Sequence, residues 1–166
     1  MISMVFKEKQ SFWSWWMVIL IVFLLLSTLN YEWNDIKDGN FKELSVNPGF
    51  WIIAVIIIIF SFIKLKTTIN SQGIMIHFFP FLLKSKFIPW SEVAQVSVKD
   101  YNPISDYGGW GYRIGIKGKA YNTKGSHGLQ LIFKSGSSLL IGTQKKCELN
   151  MIISKVNQEI LNKDYE

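Results

Sequence analysis

The chain has 166 residues, 49% of them hydrophobic and 15% aromatic, with a formal net charge of +6 at pH 7. Its single cysteine, Cys147, excludes an intrachain disulfide and any zinc site built on cysteines. From Lys64 onward the chain carries 14 Lys and Arg against 7 Asp and Glu, so the positive charge lies in the C-terminal part. A basic part of this kind favours an anionic partner, with lipid headgroups ranked ahead of nucleic acid.

The first apolar run covers residues 12–29 and follows a short polar segment, residues 1–11. Aromatic residues bound this run at both ends: Trp13, Trp15, Trp16, Tyr31 and Trp33. Aromatic residues in these positions are typical of a helix that spans a membrane, so the pattern predicts transmembrane helix 1. A cleaved signal peptide is the alternative reading. The run is longer than a usual signal core, however, and no small-x-small cleavage site follows it.

The second apolar run covers residues 48–65 and contains no ionisable side chain between Trp51 and Ile63. A buried strand is usually only about four to eight residues long, whereas a bilayer is crossed by about 17 to 25 helical residues. A helix also satisfies all of its backbone hydrogen bonds within one segment, as lipid requires. The run therefore predicts transmembrane helix 2.

The charges around the two runs predict a topology. Residues 30–47 join the runs and form an acidic loop, whereas lysines flank the other ends of both runs: Lys7, Lys9, Lys64 and Lys66, with Lys84 and Lys86 soon after. This bias places both termini in the cytoplasm and the loop outside. The prediction is a multi-pass hairpin in the inner (cytoplasmic) membrane of a cell, with residues 1–11 as a cytoplasmic N-terminus and residues 66–166 as a cytoplasmic domain.

Residues 66–166 read as short alternating strands followed by one helix. The expected strands are Leu65–Asn70, Ile74–Phe79, Lys84–Ile88, Ala94–Val98, Tyr112–Ile116, Leu129–Phe133 and Ser138–Ile141. Apolar residues then recur with helical spacing at Leu149, Ile152, Ile153, Val156 and Ile160. The pattern predicts an antiparallel, seven-stranded barrel or sandwich that a C-terminal helix closes.

Four short motifs carry a resemblance to a known family: Gly73-Ile74 with Phe79-Pro80-Phe81, Ile88 to Glu92, Asp106 to Arg113, and Ile141 to Gln144. In these motifs and in its order of elements, roughly the last 100 residues resemble small bacterial membrane-anchored proteins with a pleckstrin-homology-like (PH-like) domain. The resemblance implies a fold of seven strands in two sheets with a C-terminal helix, but no activity. The first hairpin turn, residues 70–73, lacks the cations of phosphoinositide-binding PH domains, so that ligand is not carried over.

No residue set favours catalysis. His77 falls in a predicted strand, His127 falls in a turn, and Cys147 opens the last helix. Neither histidine has a partner at metal-ligand spacing, and the glycines of residues 108–111 match no phosphate-binding motif. We therefore expect no enzyme, no metal and no cofactor.

Two surfaces are candidates for binding. Tyr107, Trp110 and Arg113 belong to residue types that dominate interaction hot spots, although the tryptophan is equally suited to cap the barrel. The apolar turn of residues 78–83 and the nearby lysines form a second candidate, resting on the inner leaflet: Lys64, Lys66, Phe79, Phe81, Leu82, Lys84 and Lys86. Core packing of residues 78–83 is the alternative for the turn.

The predicted function is a non-enzymatic, membrane-anchored PH-like interaction module at the cytoplasmic face of the membrane. Its expected partners are the lipid bilayer, anionic headgroups and an unidentified protein, and a homo-oligomer is left open. Nucleic acid is not expected, because the basic residues do not gather on one helix. The alternative is an accessory subunit of a larger membrane complex, and a Cys/His-based enzyme ranks third.

Overall fold

The computed structural model describes residues 5–13, 15–31, 33, 37, 48–115 and 117–163. The chain divides into two compact units. One unit combines the chain up to Ser11 with the chain from Lys64 onward, and the other is Phe12–Ile63. The larger unit is therefore discontinuous in sequence.

Among the described residues of the Phe12–Ile63 unit are the helices α1 (Trp15–Tyr31) and α2 (Pro48–Phe62). Met17, Ile21 and Ile53 are buried, whereas most other apolar side chains of both helices are exposed. The few hydroxyl groups donate to backbone carbonyls one turn earlier, as Ser27 does to Phe23 and Ser61 to Ile57. Both apolar runs are therefore helical, as expected.

The transmembrane interpretation of these two helices is wrong. Within the described part of the chain, no helix is both long enough and apolar enough to cross a membrane. With 15 residues, α2 rises only about 22 Å, against a hydrocarbon core of about 30 Å. The predicted two-helix transmembrane hairpin, the membrane anchor and the multi-pass inner-membrane localisation with both termini cytoplasmic are corrected accordingly. Most of the acidic loop, residues 30–47, lies outside the described residues.

The first sheet of the larger unit is antiparallel and has the order β1-β2-β3-β4. Its strands are β1 (Phe6–Ser11), β2 (Lys64–Ile69), β3 (Gly73–Phe79) and β4 (Lys86–Pro89). Burial alternates along β1 and β2, which is the signature of a sheet with one covered face. In β1 the covered residues are Phe6, Glu8 and Gln10, so the polar segment before the first apolar run is a strand.

The second sheet has the order β5-β8-β9-β7-β6. Its strands are β5 (Val93–Asp100), β6 (Gly111–Gly115), β7 (Gly118–Asn122), β8 (His127–Phe133) and β9 (Ser138–Thr143). The strands β7 and β9 are parallel, and the other pairs are antiparallel. A short 3-10 helix, Trp90–Glu92, precedes β5, while α3 (Pro103–Tyr107) precedes β6 and α4 (Lys146–Lys163) ends the unit.

This architecture corrects the expected antiparallel set of seven strands. The described residues form nine strands, and one pair is parallel. The two additional strands were missed because β1 turns Glu8 and Gln10 inward and β7 begins with Gly118 and Lys119, compositions that do not suggest a strand. The expected C-terminal helix is present as α4, with Leu149, Ile153 and Val156 buried.

Polar contacts between the sheets hold β1 in place. The Glu8 carboxylate accepts hydrogen bonds from Thr143 Oγ1 at 2.6 Å and from the Gln144 backbone N–H at 2.7 Å. The Gln10 side chain donates to the Gly142 carbonyl at 2.7 Å and accepts from Thr123 Oγ1 at 2.8 Å. Buried polar groups need such partners, so β1 is an integral part of the larger unit.

Candidate functional site

The stretch from Asp106 to Arg113 is shaped by α3 and the turn after it. The Asn102 side chain caps α3 by accepting from the backbone N–H groups of Ile104 and Ser105, and Pro103 follows at the first helical position. Asn102 and Pro103 are a sequence signal for the start of α3. The alternating pattern that predicts strands around this region does not reveal it. Gly108 ends the helix with φ of 72°, a conformation that glycine adopts without strain.

The three predicted binding residues do not share one surface. Tyr107 is only 4% exposed, and its hydroxyl donates to Gln130 Oε1 at 3.4 Å. Trp110 is half-buried and donates from Nε1 to the Gly125 carbonyl, while Arg113 donates from Nε to the Trp110 carbonyl at 2.9 Å. Tyr107 belongs to the core, and the other two side chains brace the loop.

The predicted membrane-contact residues are also divided. Phe78 is fully buried, and the Phe81 ring lies 4.9 Å from it and 6.3 Å from the Tyr112 ring, centroid to centroid. The Leu82 backbone N–H donates to the Phe78 carbonyl. Phe81 therefore contacts the edge of the core but is still 46% exposed, and Phe79 is 38% exposed.

The lysines of this set point in different directions. Lys64 and Lys66 alternate with buried Leu65 and Thr67, so they lie on the outer face of β2. Lys86 pairs in register with buried Ile76 and is thus directed to the opposite side of the sheet. Lys84 is exposed and lies between β3 and β4.

Two lysines of β1 join Lys64 and Lys66 on the outer face. Lys9 is the direct cross-strand partner of Lys66, and Lys7 and Lys9 are both exposed. We call Lys7, Lys9, Lys64 and Lys66 the basic face. The only carboxylate within β1 to β4 is Glu8, which points inward, and no ion pair of these lysines occurs among the described residues. Sequence reasoning missed Lys7 and Lys9 as site residues because it used them only as a topology signal.

Apolar side chains continue the same outer face across β3 and β4. Met75 and Phe87 are cross-strand partners, and they are 47% and 46% exposed. Phe79, which pairs with Lys64, is 38% exposed. We call Met75, Phe79 and Phe87 the apolar strip. The outer face of the sheet thus changes from cationic on β1 and β2 to largely apolar on β3 and β4. His77, the cross-strand partner of Lys66, lies between Met75 and Phe79 on this face.

The candidate catalytic residues have separate environments. His77 Nδ1 lies 3.4 Å from Ser85 Oγ, whereas His127 Nδ1 lies 2.5 Å from Asp100 Oδ1. Asp100 also accepts from Lys146 Nζ at 2.6 Å and 2.7 Å, and hydrogen bonds from Lys146 and then His127 lower the pKa of its carboxyl. Cys147 is exposed. No cluster of three potential metal ligands occurs within the described ranges.

Comparison with protein-family models, curated proteins and solved structures finds no match to this chain. The resemblance to PH-like domains therefore stays a prediction.

Proposed function

We propose that this protein is a non-enzymatic interaction module whose basic face and apolar strip bind an acidic amphipathic segment of another protein. The observation that carries the proposal is the direct cross-strand pairing of Lys9 with Lys66 on a face where the described strands provide no carboxylate. Like charges in this position are unfavourable for a sheet. A partner that brings carboxylates relieves this repulsion.

The apolar strip defines the rest of the partner. Its three side chains share the outer face with the lysines, and Phe79 adjoins Lys64 directly. His77 lies between Met75 and Phe79 and is the neighbour of Lys66. Adjacent strands are about 4.8 Å apart, so the four strands span about 14 Å. A helix with its side chains is about 10 Å across. One helix can therefore place acidic residues of one flank on the basic face of β1 and β2 and apolar residues of the other flank on the apolar strip of β3 and β4.

The expected binding has a mixed energetic origin. Exposed lysine–carboxylate pairs contribute up to about 1 kcal/mol each and weaken as salt increases. Burial of the exposed parts of Met75, Phe79 and Phe87 contributes at about 25 cal/mol per Å² of apolar surface and persists at high salt. Salt dependence therefore separates the two halves of the surface.

The test uses the full chain and a fluorescent synthetic helix with glutamates on one flank and leucines on the other. Fluorescence anisotropy should show binding that weakens at high salt. Lys9→Gln with Lys66→Gln should lower affinity by about tenfold. Lys134→Gln with Lys155→Gln is the matched control, because these exposed lysines lie outside the first sheet and their loss changes the net charge equally. The control should bind within about twofold of the parent chain.

Three results would overturn this proposal. Equal loss of affinity in the two double variants would mean that binding depends on the net charge of the chain and not on the basic face. Equal binding of a scrambled peptide of the same composition would remove the amphipathic helix as the partner. Tighter, lysine-dependent binding to phosphatidylglycerol vesicles than to the peptide would make the partner a lipid surface instead.

The exposed side chains of α1 and α2 support a second candidate, an accessory subunit of a larger complex. Exposed apolar residues occur on both helices, among them Ile19, Phe23, Trp51, Ile52 and Ile58. Exposed apolar side chains on both helices are typical of an interaction surface. The test is a pull-down that measures how much of a bound protein is recovered with the chain. A loss of recovery in Ile19→Ser with Ile52→Ser, but not in Lys9→Gln with Lys66→Gln, would favour this candidate over the basic face.

A further inference from the structure

We propose that a lysine-lined pocket in the larger unit binds a small phosphorylated organic molecule. The pocket has a volume of about 520 Å³, and its walls include Lys86, Lys117, Lys119, Ile114, Phe133 and Leu139. Small-molecule sites usually have volumes of about 300 to 1,000 Å³ and combine apolar walls with a few polar groups. This pocket has both properties.

Strands from both sheets bring the three lysines together. Lys86 begins β4, while Lys119 lies in β7 and pairs with Ile114 of β6 on one side and Leu139 of β9 on the other. Lys117 lies in the turn between β6 and β7. The sequence places Lys86 far from the other two, so this grouping is a product of the fold.

The charge of the pocket suits a dianion. Lys117 Nζ is paired with Asp106 Oδ1 at 2.7 Å. Lys86 and Lys119 form no ion pair within the part of the chain that the structure describes. Two lysine charges are therefore left uncompensated, and a phosphate monoester carries about −1.5 to −2 at pH 7. Lysines bind phosphate as mobile point charges and do not require a fixed angle of approach.

The walls indicate that the ligand has an organic body. Ile114 is 70% exposed, which is unusual for a side chain of this type and leaves it available at the rim. Phe133 is half-buried and supplies further apolar surface, while Leu139 lines the pocket with only 2% of its surface exposed. Inorganic phosphate occupies only a small part of this volume. A ring or short chain attached to the phosphate accounts for the rest.

The turn that carries Lys117 is held firmly against β9. Ser138 Oγ donates to the Lys117 carbonyl at 2.6 Å. Gly118 has φ of 102°, and a Cβ at this position would collide with Ser138, so only glycine allows the close approach. The lysines on either side of Gly118 therefore extend from a rigid base, which lowers the entropic cost of binding.

The test is a titration of the ¹⁵N-labelled full chain with phenyl phosphate, followed by NMR. Saturable shifts are expected for the amides of Gly118 and Leu139. Benzoate, which has one negative charge, and inorganic phosphate, which has no organic body, should each bind at least about tenfold more weakly. Lys86→Gln with Lys119→Gln should weaken phenyl phosphate binding about tenfold or more, because two charged hydrogen bonds are lost.

Two control variants identify the surface responsible. Lys99→Gln with Lys155→Gln has the same charge change on elements that do not line the pocket, and it should retain parent affinity. Lys9→Gln with Lys66→Gln alters only the basic face and should also retain it, so this inference and the proposed function fail independently. Equal weakening in all three double variants, or equal affinity for inorganic phosphate and phenyl phosphate, would overturn the proposed site.

Discussion

Ser11 and Lys64 are direct partners in the antiparallel register of β1 and β2. The strands before and after the helical unit, β1 and β2, therefore pair as the two arms of a hairpin. Phe12–Ile63, which forms the second compact unit, is an insertion at the position where a hairpin turn would stand. The β-rich unit is consequently complete only when the segment before the insertion is included.

Removal of the insertion should leave the β-rich unit folded. In this variant, Asn-Gly replaces Phe12–Ile63 and joins Ser11 to Lys64, since that dipeptide favours the tight turn of a two-residue hairpin. We expect far-UV circular dichroism dominated by strands and a cooperative thermal transition. A fragment that begins at Lys64 lacks β1 but keeps the whole of β2, and it should melt at a lower temperature. Equal melting of the two proteins would show that β1 contributes nothing.

Gln10 should be a stability determinant of β1. Gln10→Ala removes one partner from the Gly142 carbonyl and one from Thr123 Oγ1. Each buried polar group left without a partner costs about 1 to 3 kcal/mol, so urea unfolding should show a loss of about 2 to 6 kcal/mol. Lys9→Ala, at the neighbouring exposed position, should change the free energy of unfolding by less than about 0.5 kcal/mol. A similar small effect for Gln10→Ala would contradict the buried role.

The hairpin between β8 and β9 should require glycine at position 136. Gly136 has φ of 81°, and no atom lies within 4 Å of a Cβ built there, so a substitution is opposed by backbone conformation and not by a clash. Gly136→Val should destabilise the fold by about 1 to 2 kcal/mol. Gly136→Asn should cost less, because asparagine tolerates the left-handed region. Equal melting temperatures for the two variants would contradict this explanation.

The hydrogen bonds to Asp100 predict that its carboxyl stays ionised to a lower pH than a free aspartate does. Hydrogen bonds from Lys146 and then His127 lower the pKa of the Asp100 carboxyl from its ordinary value of 3.8. A lowered folded-state pKa contributes stability above the unfolded pKa, and this contribution is lost as the pH falls through the folded value. Lys146→Gln should therefore raise the pKa of Asp100 in a ¹³C NMR titration. Lys145→Gln is the control, because Lys145 pairs with Glu148. An unchanged Asp100 titration in Lys146→Gln would contradict the assignment.

Local patterns in the sequence determined several elements. The two long apolar runs predicted helices, which are confirmed as α1 and α2, and the spacing of Leu149, Ile153 and Val156 predicted the buried side of α4. Alternation also identified most strands of the two sheets. These features depend on the periodicity of neighbouring residues, which is a local property of the chain.

Tertiary structure alone decided the role of β1, the parallel pairing of β7 with β9, and the grouping of lysines. The inward direction of Glu8 is favourable only because Thr143 and Gln144, remote in sequence, supply its hydrogen bonds. Lys9 lies opposite Lys66 because β1 pairs with β2, although the helical unit separates the two strands in sequence. Lys86 and Lys119 line one pocket because the fold brings β4 and β7 together. Side chains that are distant in sequence become partners only through strand register and sheet packing. The periodicity of a sequence contains no information about register or packing.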